Sequence, residues 1–139
     1  LRDLKEILDD VVVDDYAEFT CVRQEDGFVI TLEKFVSDRL TQKINEFNQK
    51  AEANAKKKAF HPIVISDNGL ELIEWLSVDC TYFEGEWHSD SEIKIDKNGY
   101  ISINGTKTKN FWDATIRSEN KPLRLKIRNI CGDETVWKI

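Results

Sequence analysis

The chain has 139 residues, 40% hydrophobic and 33% charged, with a formal net charge of −6. That length fits one domain, and the apolar content, with seven Phe, four Trp and three Tyr, excludes a disordered composition. No apolar run approaches the ~20 residues of a membrane-spanning helix.

The net charge conceals an alternation. Residues 1–36 carry 10 acidic against 4 basic side chains, and residues 37–62 carry 3 against 6. Residues 63–96 carry 9 against 1, and residues 97–139 carry 4 against 9. A uniformly acidic protein repels nucleic acid, whereas this one can turn a basic C-terminal face toward it. The plainer use of the same charges is solvation of the surface. The sequence opens at Leu1 and contains no Met, which points to a segment of a larger protein.

Leu1, Leu4, Ile7 and Leu8 recur at helical spacing, so residues 1–10 are expected to form a short helix. Tyr16 to Arg23 and Phe28 to Phe35 are rich in aromatic and β-branched residues, with Glu25-Asp26-Gly27 between them. Asp-Gly supplies the positive φ of a tight turn, and the pair reads as a hairpin. Phe28, Ile30 and Leu32 alternate with Val29, Thr31 and Glu33, which predicts one face more buried than the other. A long helix is expected from Ser37 to Ala59, capped by Ser37 or Asp38. Its stripe Leu40, Ile44, Phe47 and Ala51 would pack on a sheet. Pro62 ends it.

From Ile63 onward the pattern is β. Ile63-Val64-Ile65 reads as a short strand and Ser66-Asp67-Asn68-Gly69 as a turn. Leu70 to Cys80 reads as a long strand with two-sided burial or a bulge, a helix over Leu70–Leu76 being the alternative. Glu92–Ile95, Tyr100–Ile103, Phe111–Arg117, Leu123–Ile130 and Val136–Ile139 complete the strands. The Asn98-Gly99 and Asn104-Gly105 pairs predict meander turns. The fold class is therefore α+β. An N-terminal hairpin and one long helix (residues 1–62) precede an antiparallel β-rich meander or small sandwich (residues 63–139), the two forming one compact domain.

Cys21, Cys80 and Cys131 are odd in number and widely spaced, with no C-x-x-C. They read as buried free thiols in a reducing cytoplasm rather than zinc ligands. Asp79 followed by Glu92-Ile93-Lys94 has the residue types of a metal-dependent nuclease, in which two carboxylates hold Mg²⁺ and a Lys stabilises charge. An ordinary hairpin facing water fits the same residues. Glu84, Glu86, His88 and Asp90 surround Trp87, and Gly85 makes this a solvated acidic loop before a metal site.

Arg124, Lys126 and Arg128 alternate with Leu123, Leu125 and Ile127, so one strand face is cationic and the other apolar. Lys107, Lys109 and Arg117 extend the patch, with Trp112 and Tyr100 as candidate stacking residues. Such a face can contact phosphates, and it can equally blunt an exposed strand against aggregation.

Three stretches go further. Phe35-Val36-Ser37-Asp38-Arg39 runs into Lys43-Ile44-Asn45-Glu46-Phe47-Asn48. The second is Gly69-Leu70-Glu71-Leu72-Ile73-Glu74-Trp75 and the third Ile127-Arg128-Asn129-Ile130-Cys131-Gly132-Asp133-Glu134-Thr135. Together they resemble the C-terminal region of bacterial site-specific adenine DNA-methyltransferases of restriction–modification systems, including type III modification subunits. The resemblance implies a parent that moves a methyl group from S-adenosylmethionine to a flipped base. Its Asp/Asn-Pro-Pro-aromatic motif is absent here, where Pro62 and Pro122 are the only prolines, and so is its Phe-x-Gly-x-Gly motif, since no two glycines are two positions apart. No catalytic or cofactor residue carries over. What is implied is a non-catalytic domain that helps recognise double-stranded DNA, or contacts the catalytic domain, a second copy or a restriction subunit.

Overall fold

The computed structural model describes residues 15–55, 60–108 and 112–139. The expected helix over residues 1–10 lies outside these residues, as does Lys109. The described chain is α+β, with one α-helix and two antiparallel sheets.

The first hairpin forms where expected. Strand β1 (Tyr16–Gln24) pairs with β2 (Gly27–Val36) around Glu25-Asp26. Ile30 and Leu32 are buried, and so is Phe35, which lies in the opposite phase. A bulge reconciles them: the register slips between Glu18, opposite Lys34, and Phe19, opposite Leu32. The extra residue returns Phe35 to the core side. Strand β7 (Thr115–Ser118) pairs on the other edge of β2, giving the order β1-β2-β7. Residues from both halves of the sequence thus share one sheet.

Helix α1 (Asp38–Asn54) begins at Ser37, whose backbone is extended and whose buried Oγ accepts the Leu40 amide at 3.3 Å. The expected stripe is only partly used. Leu40 is buried and Ile44 packs against the core, but Phe47 is 57% exposed. The helix leaves the core within two turns. Beyond that point Asn48 holds the following segment, its amide donating to the Ile63 carbonyl (2.8 Å) and accepting from the Ile63 N–H (2.9 Å). The expected strand Ile63–Ile65 is accordingly not a strand. Asn48 occupies both polar groups of Ile63 that a neighbouring strand would have used.

The expected long strand over Leu70–Cys80 divides in two. Leu70–Leu72 forms one 3₁₀ turn, and β3 runs from Ile73 to Asp79. Gly69 forces the division. Its φ of +67° turns the chain beside the Phe35 carbonyl, and Asn68 accepts the Phe35 amide at 2.8 Å. Strand β3 is buried on both faces apart from half-buried Glu74, as a central strand requires.

The second sheet has the order β6-β5-β4-β3-β8-β9. Strands β4 (Ser91–Ile95), β5 (Ile101–Ile103) and β6 (Thr106–Lys107) make a meander on one side of β3, turning at the two Asn-Gly pairs. The hairpin of β8 (Arg124–Asn129) and β9 (Glu134–Lys138) lies on the other side. Its turn is organised by buried Asn129, whose Oδ1 accepts the Cys131 and Asp133 amides at 2.9 and 3.2 Å. The Asn129 Nδ2 reaches Asp15 at 2.7 Å and so ties the start of β1 to the far end of the chain. Leu76, Val78, Ile93, Ile101, Leu125 and Ile127 meet Ile30, Leu32, Phe35, Leu40 and Ile116 in one apolar core. The opposite face of the large sheet is polar.

The thiols correct one expectation. All three are free, but Cys21 and Cys131 are exposed and Cys80 is half-buried. Cys21 sits on β1, an edge strand that nothing among the described residues covers along most of its length.

Candidate nucleic-acid interface

Registers place the polar residues of the large sheet in rows across it. One row reads Lys107, Ser102, Lys94, Trp75, Arg128, Glu134 from β6 to β9. The next contains Glu92, Ser77, Lys126 and Val136, and a third contains Asp79, Arg124 and Lys138. Directly opposed residues of a sheet share a face. Strand alternation therefore delivers Lys94, Lys107, Arg124, Lys126 and Arg128 to one surface.

These cations differ in what they touch. Arg124 is enclosed, its side chain 12% exposed. Its Nε and Nη2 donate to the fully buried Asp79 Oδ2 at 3.0 and 2.6 Å. Nη2 also donates to the carbonyls of Phe83 (3.2 Å) and Glu86. The guanidinium lies 4.5 Å from the Tyr82 ring centroid and 4.8 Å from that of Trp87. Asp79 Oδ1 meanwhile accepts the amides of Thr81 (2.8 Å) and Tyr82 (3.0 Å) and the Thr81 hydroxyl, while Oδ2 takes the His88 amide (3.2 Å). Burial alone would raise the Asp79 pKa. The Tyr82 amide, the Arg124 guanidinium and the Thr81 and His88 amides outweigh it and hold the carboxyl well below the ordinary range. The Asp79–Arg124 pair is thus the anchor of the loop over residues 80–90.

Arg128 is also partnered, 3.0 Å from Glu74 and 3.7 Å from Glu134. Its buried Nε faces Glu74 off the N–H direction and makes no hydrogen bond there. Its guanidinium lies 5.0 Å from the Trp75 ring. Lys94 is 62% exposed and 3.9 Å from Glu92, a separation of little energetic weight. Lys126 lies over Trp87 at 4.5 Å and Lys107 over Tyr100 at 4.4 Å. Neither lysine has a carboxylate within ion-pair distance among the described residues.

Of the expected patch, Lys107, Arg124, Lys126 and Arg128 come together, and two described members do not. Trp112 packs against the core with its Nε1 on the Thr115 carbonyl (2.9 Å). Arg117 lies on the other sheet, bonded to Gln24 at 3.3 Å. It borders an open depression of about 910 Å³ whose rim also includes Arg23, Glu25, Asp26 and Glu119. Lys94 joins the cationic row unanticipated as a phosphate contact. Its signal was the Glu92/Lys94 alternation, in phase with Ser102 and Lys107 only once the meander register is known.

The nuclease arrangement does not assemble. Glu92 lies opposite Ser77 and accepts the Trp75 indole N–H at 3.2 Å, while both oxygens of Asp79 are occupied. Among the described residues no three His, Cys, Asp or Glu side chains are grouped as metal ligands. In the acidic loop, Asp90 accepts the Cys80 amide at 2.6 Å, and His88 lies 3.5 Å from Asp90. No helix among the described residues is long and apolar enough to cross a membrane. No protein-family model matches the chain, and neither does any curated protein or solved structure.

Proposed function

We propose that this chain is a non-catalytic, DNA-contacting domain of a DNA-methyltransferase of the restriction–modification type. Methyl transfer from S-adenosylmethionine would belong to a separate catalytic domain, and no residue of this chain is assigned to that cofactor. The sequence resemblance motivates the parent. The observation that carries the DNA contact is the polar face of the large sheet, where Lys94, Lys107 and Lys126 stand exposed or half-exposed without strong acidic partners. Lys107 and Lys94 are two strands apart in one row, and Lys126 lies on β8 beyond β3. Each lysine that meets a phosphate releases condensed counterions.

The test is anisotropy on a short duplex from 50 to 200 mM salt. Three phosphate contacts give a log–log slope of about −2.7, close to a 40-fold loss of affinity over that range. The Lys94→Ala, Lys107→Ala and Lys126→Ala variants should each flatten the slope by ~0.9. Unchanged slopes in all three would remove this face from the contact.

A subunit contact is the second reading, favoured by one observation. The Asn48–Ile63 strap leaves Phe47, Ile63 and Val64 exposed by 57, 51 and 79%. Sedimentation of the chain beside Phe47→Ser and Val64→Ser would reveal self-association through that patch. A monomer at all concentrations would exclude a second copy there.

A further inference from the structure

We infer that the polar sheet face reads DNA as a charged backbone and offers no platform for stacking bases. This inference rests on the DNA-contact reading and specifies its mode. Sheet surfaces that bind single strands do so with aromatic rings open to the bases. Here a cation lies against each ring, and both tryptophans are also withdrawn from solvent. Trp75 is 8% exposed, with its Nε1 on Glu92 (3.2 Å) and Arg128 at 5.0 Å from the ring. Trp87 is half-buried, its Nε1 3.1 Å from both Ser77 Oγ and Ser89 Oγ. Lys126 and Arg124 lie at 4.5 and 4.8 Å from that ring. Tyr100 and Tyr82 are 44 and 38% exposed, and each has a cation over its ring, Lys107 at 4.4 Å and Arg124 at 4.5 Å.

A base that stacked on the cation-bearing face of any of these rings would have to displace that cation. For Arg124 it would also break the pair with buried Asp79. A phosphate meets no such obstacle at Lys94 and Lys107, which are exposed, and reaches Lys126, which is half-exposed, without breaking an ion pair. Phe83 is 62% exposed, but Glu84 and Glu86 follow it in an acidic turn, where they repel a phosphate. The row from Lys107 to Arg128 crosses four strand spacings, or ~19 Å, the axial length of roughly six nucleotides of one strand. The ligand class is therefore the phosphate backbone of duplex DNA, without sequence preference.

The experiment titrates the 139-residue chain with a duplex and with a single strand of equal length, recording anisotropy and tryptophan emission together. The expected result is duplex affinity at least equal to single-strand affinity, with emission unquenched at saturation. A single strand bound tighter by roughly 5- to 160-fold, the advantage of one stacked base, with quenched emission, would overturn the backbone mode and leave the DNA contact standing. Binding of neither polymer at low salt would overturn the DNA-contact reading and this inference with it.

Discussion

Arg124→Ala is the substitution that tests the architecture of the polar face most directly. It leaves Asp79, 0% exposed, without its cation, and it removes the bonds to the Phe83 and Glu86 carbonyls that hold the loop closed. Removing one partner of a buried ion pair costs about 3–5 kcal/mol, because the other charge stays buried. Against a domain stability of about 5–15 kcal/mol, the loss is a large fraction. In a chain of this length the melting temperature should fall by roughly 10–20 °C. Urea unfolding followed by tryptophan emission gives the same quantity at constant slope. Replacing both partners, as Asp79→Asn with Arg124→Met, should cost less than the two single losses added. The pH dependence has a definite sign. Asp79 is depressed in the folded state, so its contribution is fully present above the ordinary carboxyl pKa of about 3.9 and is lost as pH falls below it. Without the guanidinium bonds the depression shrinks, and the variant should lose less of its remaining stability on acidification. A loss under about 1 kcal/mol in Arg124→Ala, or strict additivity in the double variant, would refute the buried-pair account.

Gly69→Ala should destabilise by more than ~2 kcal/mol, because its Cβ would stand 2.0 Å from the Phe35 carbonyl oxygen at a φ of +67°. Gly85→Ala, with open space around it, should cost only the ~1–2 kcal/mol of left-handed backbone; equal melting temperatures would refute the difference. Ser37→Ala should lower stability by ~1 kcal/mol and Ser37→Gly by less, measured by urea unfolding. Burial, with Asp90 nearby, pushes the Cys80 thiol up to about 11. Its alkylation should therefore lag that of an unfolded control at pH 8–9 and catch up as pH approaches 11. The stability that Cys80 contributes is present below the ordinary thiol pKa and lost as pH rises through the folded value. Alkylation of Cys80 in the folded chain at the unfolded rate would contradict that shift.

Where local pattern and fold agreed, the sequence was readable. Asp26-Gly27, Asn98-Gly99 and Asn104-Gly105 mark turns that the chain does make, and the 124–128 alternation describes β8 residue by residue. Phe35 was readable as apolar but not as core, since its burial depends on a slip of register against Glu18 and Phe19. Ile63–Ile65 has strand composition, yet Asn48, fifteen positions earlier, takes its hydrogen bonds. The cationic face was legible as a list of side chains and not as chemistry. Whether an arginine is available depends on partners from other strands. Asp79 lies 45 positions from Arg124, and Glu74 and Glu134 flank Arg128 from β3 and β9. No periodicity records those pairings.

The middle strand of the three-stranded sheet is synthesised early and its neighbour β7 late. Until Thr115–Ser118 has left the ribosome, β2 has one bare edge and Ile30 lacks Ile116 beside it. The hairpin of Tyr16–Val36 is then a two-stranded unit, marginal by itself in water. Closing the sheet must wait for a contact of long sequence separation, which slows folding. A nascent or truncated chain ending before residue 115 would carry that open edge into solution, ready to pair with another copy.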